Sequence, residues 1–314
     1  MSAGGMTGFS NATFVLAIGL YVVAAMGYFH HLAYRGRRML GIARALAYLG
    51  VTLHAASVVS RGIAAGRVPW GNLYEYVAIV GLLIVATYLV MERQWRIEAV
   101  GGFVLGLAVA AMGAATLVYV PPGPLVPALN SYWLLIHVAL GIVGSALFTL
   151  GTVFSVLYLV QNRRERRGTV VVSVPTRQPA LVGAAGERPE DYVPAEAPEG
   201  EPPPANRSRL PAAATLDRMA YRTIVFAFPI WTLMVIFGAI WAEQAWGRYW
   251  AWDPKEVWAF ITWVMFAGYL HSRATVGWRG RRAAVLALIG FGALFFNLVM
   301  VNLVFPSLHG YAGA

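Results

Sequence analysis

Eight long apolar runs dominate this chain of 314 residues and limit what it can fold into. They lie at about residues 11–29, 40–60, 73–91, 98–120, 132–160, 219–241, 256–274 and 283–305. A helix needs about 20 apolar residues to cross the hydrocarbon core of a bilayer. Only 12% of the residues are charged, about half the share found in soluble domains. The sequence therefore predicts an all-α polytopic membrane protein, a bundle of about eight transmembrane helices.

The distribution of basic residues predicts how this bundle is oriented. Of the 24 lysines and arginines, 20 fall in the first, third, fifth and seventh connections between the apolar runs. Cytoplasmic loops are enriched in Lys and Arg, so we expect these connections inside the cell and both termini outside. The net charge of +10 is then a topology signal, and we expect no binding to nucleic acid. The chain contains no cysteine, which excludes disulfides and cysteine nucleophiles of its own.

Composition divides the chain into three parts. Residues 161–218 are the only long hydrophilic segment, rich in Pro, Ala, Glu and Arg and without helical periodicity. Such a composition buries too little apolar surface to offset chain entropy, so we expect a disordered cytoplasmic linker. It separates an N-terminal part of five helices, residues 1–160, from a C-terminal part of three helices, residues 219–314.

A tryptophan-rich segment, residues 241–263, joins the sixth and seventh predicted helices on the outer side. It holds six of the eleven tryptophans, interrupted by Gly247, Pro254 and charged residues. One interpretation is a belt of interfacial aromatic residues. The other is an aromatic surface for a flat ligand, which the density of tryptophan favours. Residues 66–76, residues 121–133 and the C-terminal end are also expected on this face, and Glu75 is expected to pair with Arg67 or a helix end.

Histidines supply candidate ligands on both sides of the membrane. His137 lies about one turn into the fifth helix and His309 just beyond the eighth, at similar depth on the outer side. Imidazole is the usual axial ligand of haem iron, so this pair is a candidate haem site; two unrelated interfacial histidines are the alternative. His271 ends the seventh helix near the cytoplasm, and spacing leaves it open between an interfacial residue and a deeper ligand. His54, inside the second helix, is equally open between a functional and a structural role.

The segment WGRYWAWDPKEVWAFITW at 246–263 resembles the signature of the WWD family of haem-handling membrane proteins. The segments GRVPWGNLYEY, SYWLLIHV, YLHSR and PSLHGYAG are similar to the CcsA- or ResC-type subunit of the System II cytochrome c synthase. The resemblance covers nearly all of the membrane part, without the linker and about the first helix. It implies a haem lyase subunit that carries haem b to the outer face and presents it for thioether attachment to the CxxCH motif of apocytochrome c.

The resemblance also implies roles for single residues. His137 and His309 would be the catalytic residues that ligate haem iron outside, and His271 would hold haem within the membrane. The remaining candidates for contact with haem are the tryptophans and neighbouring charged residues, Trp246, Trp250, Trp252, Asp253, Arg248 and Lys255. Of these, Arg248 and Lys255 are candidates for the haem propionates, with ordinary surface charge as the alternative, and Asp253 is expected chiefly to cap the following helix.

The partners follow from the same resemblance. A complete synthase would need a second subunit of the CcsB or ResB type, which supplies the other intramembrane histidine. Apocytochrome c, thiol-reducing proteins of thioredoxin type and lipid of the bacterial cell membrane are the other expected partners. Two alternative functions stay open: a haem transporter or chaperone without ligation activity, and a b-type electron-transfer cytochrome.

Overall fold

The structure is a computed structural model that describes residues 2–124, 129–169 and 209–305. Its long helices are α1 Ala3–Tyr34, α2 Arg37–Ala65, α3 Leu73–Trp95, α4 Gly101–Thr116, α5 Tyr132–Thr169, α6 Ala213–Trp246, α7 Pro254–Ala274 and α8 Arg281–Phe295. A short 3-10 helix, Glu98–Val100, precedes α4, and a π-helical turn, Phe296–Met300, joins α8 to α9, Val301–Val304. The described ranges contain no strand, so the prediction of an all-α bundle is confirmed.

Seven of these helical segments are long and apolar enough to cross a membrane. The remaining predicted span, 256–274, is present as α7, which has 21 residues but does not reach the same hydropathy. The reason is its composition, because charged residues occupy its first turn and Trp258 and Trp263 lie in its body. The predicted span that falls short in hydropathy is therefore the one whose first half belongs to the tryptophan-rich segment.

Two helices extend into the ends of the predicted linker. Helix α5 continues to Thr169 and α6 begins at Ala213, while residues 170–208 lie outside the described residues. The carboxylate of Glu165 accepts hydrogen bonds from the side chain of Gln161 at 2.8 Å and from the backbone N–H of Ala213 at 3.0 Å. These bonds hold the end of α5 against the start of α6.

Close packing of α5 on α6 depends on small residues. An added Cβ at Gly151 would lie 2.7 Å from Cγ1 of Ile224, so no larger residue fits there without a shift. Small residues at helix contacts are typical of membrane proteins, where backbones must approach closely to gain van der Waals contact. Helix α7 joins this pair through Phe266, whose ring stacks on Phe148 with 3.7 Å between centroids.

His54 is completely buried in the packing of α1 to α4. Its ring meets Phe14 edge-on at 5.4 Å, and its Nδ1 lies 3.5 Å from the hydroxyl of Tyr21. These contacts place the histidine in the packing of the helix core, where its Nε2 is buried without a hydrogen-bond partner in the described ranges.

An ion pair ties α6 to α7 at one end of the bundle. The guanidinium of Arg273 donates to both carboxylate oxygens of Asp217 at 2.9 Å, and the two side chains are 8% and 14% exposed. Asp217 also accepts a hydrogen bond from the backbone N–H of Gly280, and Arg273 lies 4.5 Å from the ring of Tyr221. The pair thus fixes the end of α7 that carries His271.

We expect Asp217→Asn to lower the free energy of unfolding by about 2 kcal/mol, because Arg273 would stay largely buried without its counter-charge. Arg218→Gln, at the neighbouring exposed position, is the matched control and should change stability little. Thermal unfolding of both variants in the same detergent measures the difference. Equal midpoints for the two variants would contradict a stabilising role of this pair.

Candidate functional site

A cavity of about 430 Å³ lies at the end of the bundle where α2 leads into α3 and α6 leads into α7. We call this the cavity end. Its wall combines the α2–α3 connection, the start of α5, the second half of α6, the start of α7 and the region from the π-helical turn to α9. Three of the four segments predicted to share one face, 66–76, 121–133 and 241–263, therefore contribute residues to one cavity. The volume is in the usual range of ligand sites, about 300–1,000 Å³. His309, in the fourth segment, lies outside the described residues.

Helix α6 fixes the orientation of His137, which lines the cavity from α5. Nδ1 of the ring lies 2.8 Å from the backbone oxygen of Met234. A carbonyl oxygen only accepts, so Nδ1 is the donor, and the lone pair of the neutral ring is carried by Nε2. Metal-binding histidines are commonly oriented by such a bond from the other ring nitrogen. The arrangement suits His137 to bind a metal through Nε2.

Gly238 permits this close approach of α5 to α6. A Cβ added there would lie 2.6 Å from Nδ1 of His137 and 2.7 Å from Cε1. One turn further on, Trp241 lies nearly parallel to the imidazole, with an interplanar angle of 20° and 6.3 Å between centroids. Met234, Gly238 and Trp241 follow one another at intervals of four and three residues, which places them on one face of α6. The sequence contains this spacing, but a local pattern does not show that α5 packs against this face.

The predicted tryptophans occupy three different positions. Trp250 lines the cavity, whereas Trp246 packs edge-on against Trp241 with 4.8 Å between centroids. Trp252 is 74% exposed and stands perpendicular to Trp250. The rings meet at steep angles and do not form one flat surface. The cavity wall also takes Trp241, from the start of the tryptophan-rich segment, and Trp231. The sequence analysis did not assign Trp231 to the site.

The first turn of α7 holds the tryptophan-rich connection in shape. The Glu256 carboxylate accepts hydrogen bonds from the backbone N–H groups of Ala251 at 2.8 Å and Asp253 at 3.2 Å. Asp253 in turn caps α7, accepting from the N–H of Lys255 at 3.0 Å. Between them Trp252 has a φ of 59°, a left-handed conformation that is uncommon for a bulky residue. The expected capping role of Asp253 is thus observed, and the cap constrains the tryptophans around it.

Charged side chains near the cavity differ in their access to it. Lys255 and Arg67 line the wall, whereas Arg248 is exposed and does not. The expected pairing of Glu75 is observed, since its buried carboxylate lies 2.8 Å from Arg67 and 2.8 Å from Arg61. It also accepts the backbone N–H of Gly71 at 2.7 Å. The α2–α3 wall of the cavity therefore rests on a buried cluster of three charges.

The π-helical turn after α8 adds polar groups to a largely apolar wall. Asn297, within the turn, and Asn302, in α9, both line the cavity. Asn297 is 7% exposed, and its Oδ1 has no hydrogen-bond partner within the part of the chain that the structure describes. Such turns occur frequently at functional sites.

His271 lies far from this cavity. It is exposed near the last turn of α7, about 24 Å along the helix axis from Lys255. The structure therefore does not bring His271 and His137 together. The two are candidates for separate sites, near opposite ends of α7.

The part of the chain that builds the cavity matches known proteins. Residues 70–309 match the family of cytochrome C assembly proteins. A cytochrome c biogenesis protein CcsA from Synechococcus elongatus is 40% identical, covering 82% of this chain and 83% of the relative. Proteins of the same name from Synechocystis sp. and Pyropia yezoensis are 36% and 31% identical, covering 86% and 96% of this chain and 87% and 97% of their own lengths. The chain belongs to the CcsA-type cytochrome c assembly family. As a CcsA-type subunit of System II, it is a multi-pass membrane protein of a haem-handling family and works in cytochrome c biogenesis.

A solved structure, that of the cytochrome c haem lyase CcmF, has the same fold. The TM-score is 0.67 at 17% sequence identity, over 95% of this chain and 47% of that one. The CcsA-type chain thus spans about half the length of this neighbour. At this identity the likeness shows a shared helical architecture and nothing more specific.

We expect Gly238→Ala to destabilise the protein by about 1–3 kcal/mol, because the added Cβ would overpack the contact with His137. Gly292→Ala in α8 is the matched control, since nothing lies within 4 Å of a Cβ added there. The control should be neutral or stabilising, because alanine is favoured over glycine in a helix by about 1 kcal/mol. Thermal unfolding in one detergent compares the two, and equal effects would contradict the tight contact at Gly238.

Two substitutions at Asp253 separate its cap from its charge. Asparagine caps helices as well as aspartate does, whereas alanine loses about 1 kcal/mol. We therefore expect Asp253→Asn to retain most of the stability that Asp253→Ala loses, again measured by thermal unfolding. If both variants lose the same stability, the charge of Asp253 stabilises the protein and its capping hydrogen bond does not.

Proposed function

We propose that the cavity holds haem with His137 as an axial ligand and presents it for covalent attachment to apocytochrome c. The observation that carries this proposal is the hydrogen bond from Nδ1 of His137 to Met234, because it assigns the lone pair of the neutral ring to Nε2 in a residue that lines the cavity. The apolar and aromatic lining suits a flat apolar macrocycle, because stacked aromatic contact buries much area with little loss of entropy.

His309 is the second axial ligand in this proposal. It follows Asn302, which lines the cavity, by seven residues. Seven residues of extended chain span at most about 25 Å, so a ligand at this position is within reach of the cavity. Two imidazoles would satisfy the iron until the histidine of the CxxCH motif replaced one of them.

The reaction joins haem, as substrate, to two cysteine thiols of the apocytochrome. At each vinyl group one C–S bond forms, the carbon–carbon double bond becomes single and the thiol proton moves to the second vinyl carbon. Nothing is oxidised or reduced in this addition, but the thiols must arrive reduced, which implies thiol-reducing proteins of thioredoxin type. The contribution of this chain would be to hold the two reactants in position, which can supply much of a rate enhancement.

The proposed function includes a second subunit that binds haem together with this chain. We propose that His271, exposed near the other end of α7, holds haem during its transfer together with a histidine of a CcsB- or ResB-type partner. Because His271 is exposed on the surface of the bundle, a histidine of another chain can approach it and bind the same haem. The cavity end would then face the outside of the cell, and the five- and three-helix parts would be joined by a linker in the cytoplasm.

The test uses the full protein purified with its partner subunit. Reduced visible spectra should show a low-spin bis-histidine b-type haem in the wild type. We expect His137→Ala and His309→Ala to perturb this spectrum and to abolish attachment to a CxxCH peptide, and His271→Ala to lower the haem content. His30→Ala, at an exposed position in α1, is the control and should change neither. Haem that is absent, or unchanged in all variants, would refute the ligand assignments, and bound haem without attachment would indicate transport alone.

A further inference from the structure

The buried charge cluster behind the cavity wall is not accounted for by ligation of haem iron. Glu75 at the start of α3 has a fully buried side chain and lies between two guanidinium groups. The side chain of Arg61, from α2, is 4% exposed, and that of Arg67, from the α2–α3 connection, is 13% exposed. Arg61 also lies 4.7 Å from the ring of Tyr74. Two positive charges are thus held against one negative charge.

Such a cluster has one unit of positive charge in excess. Burying a charge is costly unless an opposite charge and hydrogen bonds compensate it. Nη1 of Arg61 is buried and has no hydrogen-bond partner in the described ranges. Arg67 donates to Glu75, Val68 and Gly123, which leaves one N–H of Nη2 without an acceptor among the described residues. The cluster is therefore short of an anion, and Arg67 is its member on the cavity wall.

Another part of the cavity wall has the reverse imbalance. At the start of α7, Lys255 and Glu256 line the cavity next to the helix cap Asp253, so one positive charge stands with two negative charges. The cavity is thus polarised, positive at the α2–α3 connection and negative at the start of α7. An anionic group in the cavity is favoured beside Arg67 and disfavoured beside α7.

We infer that Arg67, supported by Glu75 and Arg61, binds the carboxylate edge of the flat ligand and so sets its orientation in the cavity. The inference rests on the proposed function, because the ligand is haem. The two propionates of haem lie on one edge of the macrocycle and the two vinyl groups lie towards the other. With the propionates at Arg67, the vinyl groups face the start of α7, beside Trp250 and the 62% exposed Tyr249.

Arg67 is therefore a positioning residue for the thioether reaction. It presents the reacting edge of the ligand to the tryptophan-rich side of the cavity, where Tyr249 and Trp252 are exposed and a peptide can approach. This assignment differs from the sequence-based candidates for the propionates. Arg248 lies away from the cavity wall, and Lys255 belongs to its negative side.

The experiment compares ferric haem with its dimethyl ester, in which both carboxylates are neutral. Affinities are measured by titration of the apo form of the full complex, following the visible spectrum. We expect the wild type to prefer the free acid about tenfold, as for one charge-assisted hydrogen bond. Arg67→Gln should bind both compounds equally while keeping the low-spin bis-histidine spectrum, and Arg67→Lys should restore part of the preference. Lys255→Gln should retain the full preference.

Three results would overturn the inference. Equal affinity of the wild type for haem and the ester would do so directly, without any variant and therefore whether or not Arg67→Gln folds. A preference lost in Lys255→Gln but kept in Arg67→Gln would place the carboxylates at α7 instead. In both cases haem is bound and the proposed function stands. Failure of the wild type to bind either compound would instead refute the proposed function, and the inference with it.

Discussion

The contact between His137 and the backbone of α6 is the interaction on which the cavity depends. It exists because residue 238 is glycine, which lets the imidazole approach until Nδ1 lies 2.8 Å from the carbonyl of Met234. In an apolar membrane environment a polar ring of this kind needs a partner. The bond satisfies Nδ1, and the same approach brings α5 and α6 close enough to share one wall.

Two hydrogen bonds from tryptophan side chains hold α7 against α6. The indole N–H of Trp231 donates to the backbone oxygen of Ala259 at 3.1 Å, and that of Trp263 donates to Thr232 at 2.9 Å. Buried indole groups usually find such partners. Tryptophans in this part of the chain therefore serve as links between helices as well as lining for a cavity. Helix α7 is held at its ends by the cap at Asp253 and by the ion pair of Arg273, and it connects the cavity to His271.

Much of this arrangement could be predicted from the sequence, because membrane-spanning helices leave a strong signal in length and hydropathy. The helices, the cap at Asp253 and the pairing of Glu75 with Arg67 follow from local patterns. The meeting of residues 66–76 with the tryptophan-rich segment follows from the predicted order of the membrane spans. The roles of single tryptophans could not be predicted. Trp252 and Trp250 are two residues apart, yet one is exposed and the other lines the cavity, because the hydrogen bonds of Glu256 set the backbone between them. The contact at Gly238 also depends on the tertiary packing of α5, which a local pattern does not contain.

An experimental structure of the complex with haem bound tests the central claim most directly. The account predicts density for haem at the cavity end, with Nε2 of His137 within bonding distance of the iron and Nδ1 still donating to Met234. Haem found elsewhere in the bundle, or a His137 ring that binds iron through Nδ1 or points away from the cavity, would contradict it.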